Sequence, residues 1–321
     1  MRLFRNLESL PDSARHGAVT IGNFDGVHLG HAKIVQRLME QARAVAGPAV
    51  VFTFDPHPVR ILRPDHAPPP LTWTDRKARL LQDLGVDAMI AFPTDAAFLR
   101  LEAREFFDAI VGQRLEARAM VEGPNFFFGR GRQGNVDLLG QFCRAAGVLL
   151  EIVEPVEIDG QVVSSSRVRE LVERGEVEHA QRMLTQPYRI RGRVVHGAGR
   201  GRELGFPTAN LEGIDTLLPR EGIYAGRAHA AGRLWPAAIS LGPNPTFGEG
   251  RLKVEVHLLD YHGSLYDHQI EVDFLARLRD IVRYGSVDAL VVQMNHDLEA
   301  TRRIAAAHHA VHRRKQGPTT A

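Results

Sequence analysis

The first half of the chain alternates short apolar runs with longer stretches in which apolar residues recur every three to four positions. The runs are typical of buried β-strands, and the stretches between them are typical of amphipathic helices. The five runs lie at residues 18–21, 49–54, 88–92, 119–121 and 148–153. The predicted helices begin near residue 31 and span residues 75–84, 98–111 and 136–146. This alternation predicts an α/β fold, a doubly wound parallel sheet.

The second half has a different pattern, in which short alternating runs are broken by glycine. These runs predict a small antiparallel β-barrel. They lie at residues 190–195, 222–226, 235–239, 253–258 and 269–274. A long helical pattern at residues 287–310 follows and is predicted to pack against the barrel. The pattern changes at Gln186–Pro187, which predicts two domains, residues 1–186 and 187–321.

Length and composition are those of an ordinary globular protein, with 321 residues, 44% hydrophobic and 24% charged. The net charge of +2 (40 basic minus 38 acidic residues) argues against nucleic acid or an anionic membrane as the main partner. No apolar run approaches the roughly 20 residues that cross a bilayer, and residues 1–8 do not resemble a signal peptide. The single cysteine, Cys143, excludes an internal disulfide and is expected in the core. We therefore expect a cytoplasmic protein.

One glycine-rich stretch, Gly22–His31, lies between the first predicted strand and the first predicted helix. A strand, a turn and a helix in this order direct backbone N–H groups and the positive end of the helix dipole at one point, which suits a phosphate. His28 and His31 can donate hydrogen bonds to phosphate oxygens there, and Gly30 allows a ligand to approach closely. The alternative is a capped helix with two solvated histidines. The candidate nucleotide-binding residues are Gly22, Asn23, Phe24, Asp25 and Gly30.

Two further segments of the first half follow predicted strands. Asp55–Pro58 places a histidine between two prolines at the end of a strand, which predicts a rigid, extended turn at the edge where parallel sheets bind ligands. Gly123–Gly134 has three consecutive phenylalanines beside glycines and arginines. Aromatic faces suit a flat ring and arginines suit phosphate. The alternatives are an ordinary rigid loop for the first segment and core phenylalanines for the second.

Ser164–Arg169 places three serines and two arginines at a predicted helix start. Serine is a common N-cap, and Glu170 can complete a local cap. Pure capping does not require hydroxyl and guanidinium groups together, whereas binding a triphosphate at a helix N-terminus uses both. We therefore take Ser165, Ser166 and Arg169 as candidate phosphate-binding residues.

Two segments of the second half carry candidate chemistry. His196–Gly205 is glycine-rich and basic, so its backbone N–H groups can surround a polyphosphate; a flexible hairpin is the alternative. On the strand at residues 253–258, Glu255 and His257 share one face. Glu255 is either a surface residue or a base that accepts a proton from a substrate hydroxyl.

The stretch Gly-Asn-Phe-Asp-Gly-Val-His-Leu-Gly-His resembles the nucleotide-binding signature of the HxGH nucleotidyltransferases. In this long form it resembles the bacterial bifunctional riboflavin kinase/FAD synthetase family. Other segments resemble the family in the same order: Thr53–Pro58, Gly123–Gly129, Ser164–Arg169, Gly205–Asn210, Leu241–Phe247 and Val254–Asp260. The resemblance covers nearly the whole chain. It implies a Rossmann-like domain of the HxGH type followed by a kinase barrel.

The resemblance also implies a role for each matched residue. In the first half, His28, His31 and Arg169, with Ser165 and Ser166, would stabilise the charged transition state. Implied nucleotide-binding residues of the second half are Gly197, Gly199 and Gly205. Implied flavin-binding residues are Pro56, His57, Pro58, Asn125, Phe126, Phe128 and Arg279. The resemblance further implies that Thr208 and Asn210 hold Mg²⁺ and the ATP phosphates, and that Glu255 is the base of the kinase.

The activity that the resemblance implies is a two-step synthesis. Riboflavin would be phosphorylated by MgATP to FMN, and FMN would be adenylylated by a second ATP to FAD and pyrophosphate. Two alternatives remain: a riboflavin kinase with a degenerate adenylyltransferase half, and a non-catalytic flavin or nucleotide sensor. The intact His28 and His31 count against the first, and the intact Thr208, Asn210 and Glu255 count against the second. The sequence leaves the oligomeric state open.

Three positions depart from the family pattern. Phe127 stands where the family often has a polar or basic residue, which leaves its contact with a flavin open. Asp267 replaces the usual glycine and puts the local turn in question. Tyr284 replaces the usual phenylalanine.

Overall fold

The computed structural model describes residues 1–8, 10–197, 199–244 and 249–315. The chain forms two compact units, Met1–Ser165 and Ser166–Ala321. The first is an α/β unit and the second contains a β-barrel, as the sequence predicts. The domain boundary predicted at residues 186 and 187 stays a prediction.

A six-stranded parallel sheet forms the centre of the α/β unit. Its strands are β1 (Arg2–Phe4), β2 (Ala18–Ile21), β3 (Ala49–Asp55), β4 (Ala88–Pro93), β5 (Ala119–Glu122) and β6 (Leu149–Ile152). Their order across the sheet is β1-β4-β3-β2-β5-β6, with parallel pairing throughout. Along β2, Val19 and Ile21 join one hydrophobic core and Ala18 joins another. Both faces of the sheet are therefore buried, which confirms the doubly wound prediction.

The helices of this unit are α1 (Leu29–Ala44), α2 (Pro58–Leu62), α3 (Thr74–Asp83), α4 (Ala103–Phe106) and α5 (Val136–Ala146). The helix predicted at residues 98–111 is interrupted. A 3₁₀ turn at Phe98–Arg100 ends before Glu102, whose side chain forms a capping box with Glu105 and starts a new helix. A π-helical segment, Phe107–Arg114, continues α4. The apolar period could not show the break, because the segments on both sides bury phenylalanines in the same core.

The strand order reverses beside β2. From β2 the chain runs to β3 and β4 on one side, then returns to β5 and β6 on the other. In open parallel sheets, ligands bind outside the carboxyl ends of the strands at such a reversal. The segments that leave β2 and β5 there are Gly22–His31 and Gly123–Gly134. The topology thus directs two of the predicted segments to one crevice. A short hairpin, β7 (Glu157–Ile158) and β8 (Gln161–Val162), follows β6.

The second unit contains a closed six-stranded antiparallel barrel. Its strands are β9 (Arg189–Val195), β10 (Ala209–Glu212), β11 (Gly222–Ala230), β12 (Arg233–Asn244), β13 (Glu249–Leu258) and β14 (Gln269–Arg279). Their order is β10-β13-β12-β11-β14-β9. The helices of this part are α6 (Ser165–Glu173), α7 (Val177–Met183), α8 (Arg200–Glu203) and α9 (Val287–Lys315). Helix α9 packs against β11, β12 and β14, which confirms the predicted terminal helix.

Cys143 lies in the core of the α/β unit, as predicted. Burial raises the pKa of its thiol to about 11, so the thiol stays protonated at neutral pH. No helix in the described part of the chain is long and apolar enough to cross a membrane.

Glu122, the last residue of β5, is a buried acid that the sequence did not single out. It is 3% exposed, and its Oε1 accepts a hydrogen bond from the N–H of Ile21 at 2.7 Å. Strands β2 and β5 pair at two positions, and both positions come before Ile21 in the sequence. The carboxyl group therefore satisfies a main-chain donor beyond the paired part of β2. Burial raises the pKa of Glu122 well above its ordinary value, against the opposing effect of the Ile21 hydrogen bond.

We expect Glu122→Gln to make the unfolding free energy of the α/β unit less dependent on pH. Because the folded-state pKa is raised above 4.5, the folded chain keeps a proton that the unfolded chain releases. Stability then falls as the pH rises from 4.5 through the folded-state pKa. Glutamine still accepts the Ile21 hydrogen bond but does not titrate, so it removes this fall. Urea unfolding across this range measures the slope, with Trp73 as the reporter in a Trp235→Phe background.

Glu151→Gln on the neighbouring strand is the matched control. Partial burial opposes the effect, but hydrogen bonds from Arg37 and Gln41 hold the pKa of Glu151 below its ordinary value. The stability that Glu151 contributes is therefore present at neutral pH and lost as the pH falls, the opposite direction to Glu122. A Glu122→Gln protein with the same pH slope as the wild type would contradict the assignment.

Candidate active sites

The loop between β2 and α1 has an unusual backbone that burial holds in place. Phe24 and Val27 adopt positive φ angles of 48° and 45°, a region that bulky and β-branched residues seldom occupy. Both side chains are buried in the core of the unit. At the start of the loop, the N–H of Gly22 donates to the Phe52 carbonyl at 3.0 Å and prolongs the sheet by one bond. The sequence therefore builds a fixed loop at this position.

The two histidines of the loop contact each other. His28 is the N-cap of α1, and its Nδ1 accepts a hydrogen bond from the N–H of His31 at 3.3 Å. The two rings stack with centroids 3.6 Å apart. A Cβ on Gly30 would lie 3.1 Å from the His28 ring and 3.4 Å from the Val163 carbonyl. A side chain at position 30 would therefore crowd the His28 ring, and the close approach of a ligand to Gly30 stays a prediction.

Burial keeps both histidines neutral. Burial lowers the pKa of His28 to about 4. The pKa of His31 is lowered well below its ordinary value by burial first and then by the nearby charges of His28 and Lys77. Since Nδ1 of neutral His28 accepts a hydrogen bond, its proton is on Nε2, which can donate to a ligand. Among the described residues, Nδ1 of His31 and Oδ1 of Asn23 are buried without a hydrogen-bond partner. Polar atoms of this kind are expected where a polar ligand binds.

Asp25 anchors the loop to other segments of the unit. Its carboxylate accepts hydrogen bonds from the N–H groups of Leu71 at 3.0 Å and Thr72 at 3.1 Å, just before α3. Its main-chain carbonyl accepts a hydrogen bond from the Oγ of Ser165 at 2.9 Å. Asp25 and Ser165, two of the predicted site residues, are therefore in direct contact. Their hydrogen bonds position the loop.

Ser166 and Arg169 lie on the first two turns of α6, in the second unit. Their role toward the histidine loop stays a prediction. The sequence suggested that Glu170 completes a local cap. In the structure the Glu170 carboxylate pairs with the Arg167 guanidinium group at 2.6 Å. Glu170 also pairs with Arg174 one turn later, at 2.5 Å.

The turn after β3 is tighter than the extended turn that the prolines predict. The Asp55–Pro56 peptide is cis, and Pro58 is the first residue of helix α2. His57 caps this helix, with its Nδ1 accepting from the N–H of Val59 at 3.1 Å. Asp55 accepts a hydrogen bond from the Thr74 hydroxyl at 2.7 Å. The helix begins at Pro58 because proline is favoured in the first turn, where its missing N–H has no intrahelical partner.

The three phenylalanines after β5 have three different environments. Phe128 lies in the core, and Phe126 is half-buried with its ring stacked on Phe128 at 5.5 Å. Phe127 is 43% exposed, and the guanidinium group of Arg132 lies 4.2 Å from its ring centroid. Asn125 is exposed. The core alternative is therefore right for Phe128, while Phe127 replaces the family's polar residue on the surface.

The barrel brings the predicted kinase residues together on neighbouring strands. In the strand register, Asn210 of β10 faces Glu255 of β13, and Glu255 faces Ser240 of β12. Glu255 and His257 line one cavity, whereas the alternate residues of β13 are buried in the core, as the strand period predicts. The cavity has a volume of about 180 Å³. Its lining includes the predicted residues Gly197, Gly199, Thr208, Asn210, Glu255, Arg279 and Tyr284.

Gly197 is required for a close approach. A Cβ at this position would lie 2.2 Å from Nδ2 of Asn210. Gly199 and Gly205 flank helix α8 with φ angles of 76° and 87°, which favour glycine. Ala198 and Pro245, Thr246 and Phe247 of the family-like segment lie outside the described residues.

Two residues to which the sequence analysis assigned no role position predicted ones. His257 Nδ1 lies 2.8 Å from the Pro207 carbonyl and must donate to it, which fixes the main chain just before Thr208. Asp297 of α9 holds Arg279 through hydrogen bonds of 2.7 Å and 3.1 Å. Both contacts join distant parts of the sequence. The sequence signal that could have indicated Asp297 was an acidic residue within the helix predicted at residues 287–310.

Two departures from the family pattern keep the local structure. Asp267 adopts a φ of 62° and pairs with Arg193 at 2.8 Å, so the turn forms with aspartate in a conformation that glycine prefers. The ring of Tyr284 lies 5.8 Å from the guanidinium group of Arg279. Tyr284 thus remains beside the cavity.

Comparison with known proteins agrees with this arrangement of two sites. A family model described as FAD synthetase matches residues 10–167, and one described as riboflavin kinase matches residues 184–305. A bifunctional riboflavin kinase/FMN adenylyltransferase from Pseudomonas fluorescens is 38% identical, over 95% of this chain and 98% of that protein. The protein of that name from Escherichia coli K12 is 35% identical, over 92% and 96%.

A solved structure shares the architecture. The crystal structure of a protein described as a macrolide-efflux protein from Streptococcus pneumoniae superposes with a TM-score of 0.83 at 31% identity, over 94% of this chain and 98% of that one. The matches extend over nearly the full lengths of these relatives, and the two family models together cover most of the chain. The chain belongs to the bifunctional riboflavin kinase/FMN adenylyltransferase family.

Proposed function

We propose that each unit of the chain performs one step in the synthesis of FAD. The barrel transfers the γ-phosphoryl group of ATP to riboflavin and forms FMN and ADP. The α/β unit joins FMN to the AMP part of a second ATP and releases pyrophosphate. The observation that carries this proposal is that each unit has its own polar site. One is the buried histidine pair after β2, and the other is the Asn210–Glu255 pair in the barrel cavity.

In the α/β unit, an oxygen of the FMN phosphate attacks the α-phosphorus of ATP, and the bond to the pyrophosphate oxygen breaks. Negative charge on the α-phosphate oxygens has to be stabilised as this happens. Neutral His28 is proposed to donate from Nε2, since its Nδ1 accepts from the N–H of His31. The N-terminus of α1 favours negative charge nearby. Ser165, Ser166 and Arg169 are proposed to bind the triphosphate. No covalent intermediate is needed, because positioning and charge stabilisation drive such a transfer.

The flavin ring of FMN is proposed to bind near the turn after β3 and the loop after β5. The Nδ1 of His57 accepts a hydrogen bond from the N–H of Val59, which fixes the imidazole ring at the start of α2 beside this turn. Asn125 and Phe126 are accessible on the second loop. Phe128 is buried and supports Phe126 from below, so we assign it an indirect role.

In the barrel, Glu255 is proposed to accept the proton of the riboflavin hydroxyl as that oxygen attacks the γ-phosphorus. Gly199 and Gly205 have open space where a side chain would stand, and with Gly197 they are proposed to bind the ATP phosphates through the backbone. Arg279, held by Asp297, lines the same cavity and is proposed to orient the flavin.

The barrel residues fit a magnesium ion that is shared with ATP. The Thr208 hydroxyl and the Asn210 carbonyl offer oxygen atoms, the ligands that Mg²⁺ prefers. Among the described residues no cluster of three His, Cys, Asp or Glu side chains could hold a metal alone, which suits an ion that keeps phosphate and water ligands. Such an ion supplies charge neutralisation at the β- and γ-phosphates.

Two variants, one in each unit, test whether each unit carries out its own reaction. We expect His28→Ala to reduce FAD formation from supplied FMN by about 10²–10³-fold, the effect of losing one transition-state donor. Its rate of riboflavin phosphorylation should equal that of the wild type. Glu255→Gln should slow riboflavin phosphorylation by a similar factor and leave FAD formation from FMN unchanged. Chromatography of flavins measures both rates, and a variant that slows both reactions equally would contradict the division.

A substitution at Gly197 tests the placement of Asn210. We expect Gly197→Ala to reduce riboflavin phosphorylation at least tenfold and to raise the Mg²⁺ concentration for half-maximal rate, because the new methyl group displaces the Asn210 amide. FAD formation from FMN should not change. If the methyl group acts through Asn210, Gly197→Ala/Asn210→Ala should be no slower than Asn210→Ala alone. Additive losses in the double variant would contradict this placement.

A further inference from the structure

Lys77 on α3 is a buried cation beneath the histidine loop. It is 8% exposed, and its Nζ donates to the Asn23 carbonyl at 2.6 Å and to the Thr53 hydroxyl at 3.3 Å. The Thr53 hydroxyl also donates to the Asn23 carbonyl, at 3.1 Å. Lysine is seldom this buried unless it is paired, and both acceptors here are neutral oxygens. The contact joins α3 to the loop across the crevice end of β3.

The energetics of this contact favour a role beyond tethering. Burial lowers the pKa of Lys77, against the opposing fields of the Asp25 and Asp55 carboxylates. A buried ammonium group costs more solvation free energy than a neutral donor would. A tether for one carbonyl needs only a neutral N–H or O–H group. The sequence uses a charge at this position, which indicates that the charge itself acts on the site.

The groups around Lys77 are the polar groups of the loop. Its positive charge is one of the influences that lower the pKa of His31, after burial and the charge of His28. The residue that it tethers, Asn23, has a buried Oδ1 without a partner among the described residues, as does Nδ1 of His31. Asp55 pairs with Arg5 at 3.6 Å, and the Asp25 carboxylate accepts hydrogen bonds from the N–H groups of Leu71 and Thr72. A buried cation is therefore bound to the loop that carries both unsatisfied polar atoms.

We propose that Lys77 is a positioning residue of adenylyl transfer, which holds the Asn23 carbonyl and whose buried positive charge stabilises the anionic substrate. This inference rests on the proposed role of the histidine loop. It assigns two separable tasks to one side chain. The tether fixes the loop, and the charge makes the potential of the crevice more positive.

Three substitutions in the full-length chain separate the two tasks. Lys77→Met removes both the donor and the charge, Lys77→Gln keeps a neutral donor, and Lys77→Arg keeps the charge. We expect Lys77→Met and Lys77→Gln to reduce kcat for FAD formation from FMN by about 10- to 100-fold, the scale of residues that orient functional groups. Arginine should recover part of the rate. Riboflavin phosphorylation by the same proteins is expected to stay at the wild-type rate. Trp73 fluorescence in a Trp235→Phe background reports that the α/β unit is folded.

The pH profile distinguishes the charge from a structural effect. Without the lysine charge, the pKa of His31 should rise toward its ordinary value. The acid limb of the pH profile for FAD formation should therefore move to higher pH in Lys77→Met and Lys77→Gln. Lys33→Met is the matched control, because Lys33 also donates to a main-chain carbonyl, that of Glu154 at 2.8 Å. It should keep the wild-type rate and profile.

Two results would overturn the proposal. Wild-type kcat in Lys77→Met would exclude any role in the reaction. Recovery of the wild-type rate and profile in Lys77→Gln would leave a neutral tether only. A failure of the proposed function itself is recognised separately, because His28→Ala would then keep full FAD formation.

Discussion

The α/β unit depends on the need to satisfy the polar groups of a loop that is buried at the end of β2. Main-chain and carboxylate groups that leave water have to find partners inside the protein. Asp25 finds them at Leu71, Thr72 and Ser165, and the Asn23 carbonyl finds them at Thr53 and Lys77. The positions of the two histidines are thus fixed by segments from β3 to the start of α6. A reaction that proceeds by positioning and charge stabilisation gains directly from such fixation.

The same burial decides the chemistry of the histidines. In a site of low polarity an imidazolium is disfavoured, so His28 and His31 stay neutral, as their proposed role as hydrogen-bond donors to phosphate requires. In the barrel the corresponding constraint is strand register. Because successive side chains of β13 face opposite sides, the core residues Val254 and Val256 oblige Glu255 to face the cavity opposite Asn210.

Local sequence was sufficient for the fold and for the parts of the sites that lie on one segment. The strand, turn and helix around His28 were predictable because the apolar period and the glycines occur within one short stretch. The interrupted helix at residues 98–111 was not, since its new start at Glu102 depends on a side-chain cap within a continuous apolar pattern. Lys77 and Glu122 were missed because their partners lie 54 and 101 residues away. A buried lysine on an amphipathic helix looks like a surface residue until the tertiary contact is known.

The most direct test of the bifunctional account is a time course of flavins formed by the wild-type chain from riboflavin, ATP and Mg²⁺. The account predicts that FMN accumulates first and that FAD follows, with one pyrophosphate released for each FAD. If the reaction stopped at FMN and supplied FMN also remained unchanged, the role of the α/β unit would be contradicted. If no FMN formed, the role of the barrel would be contradicted.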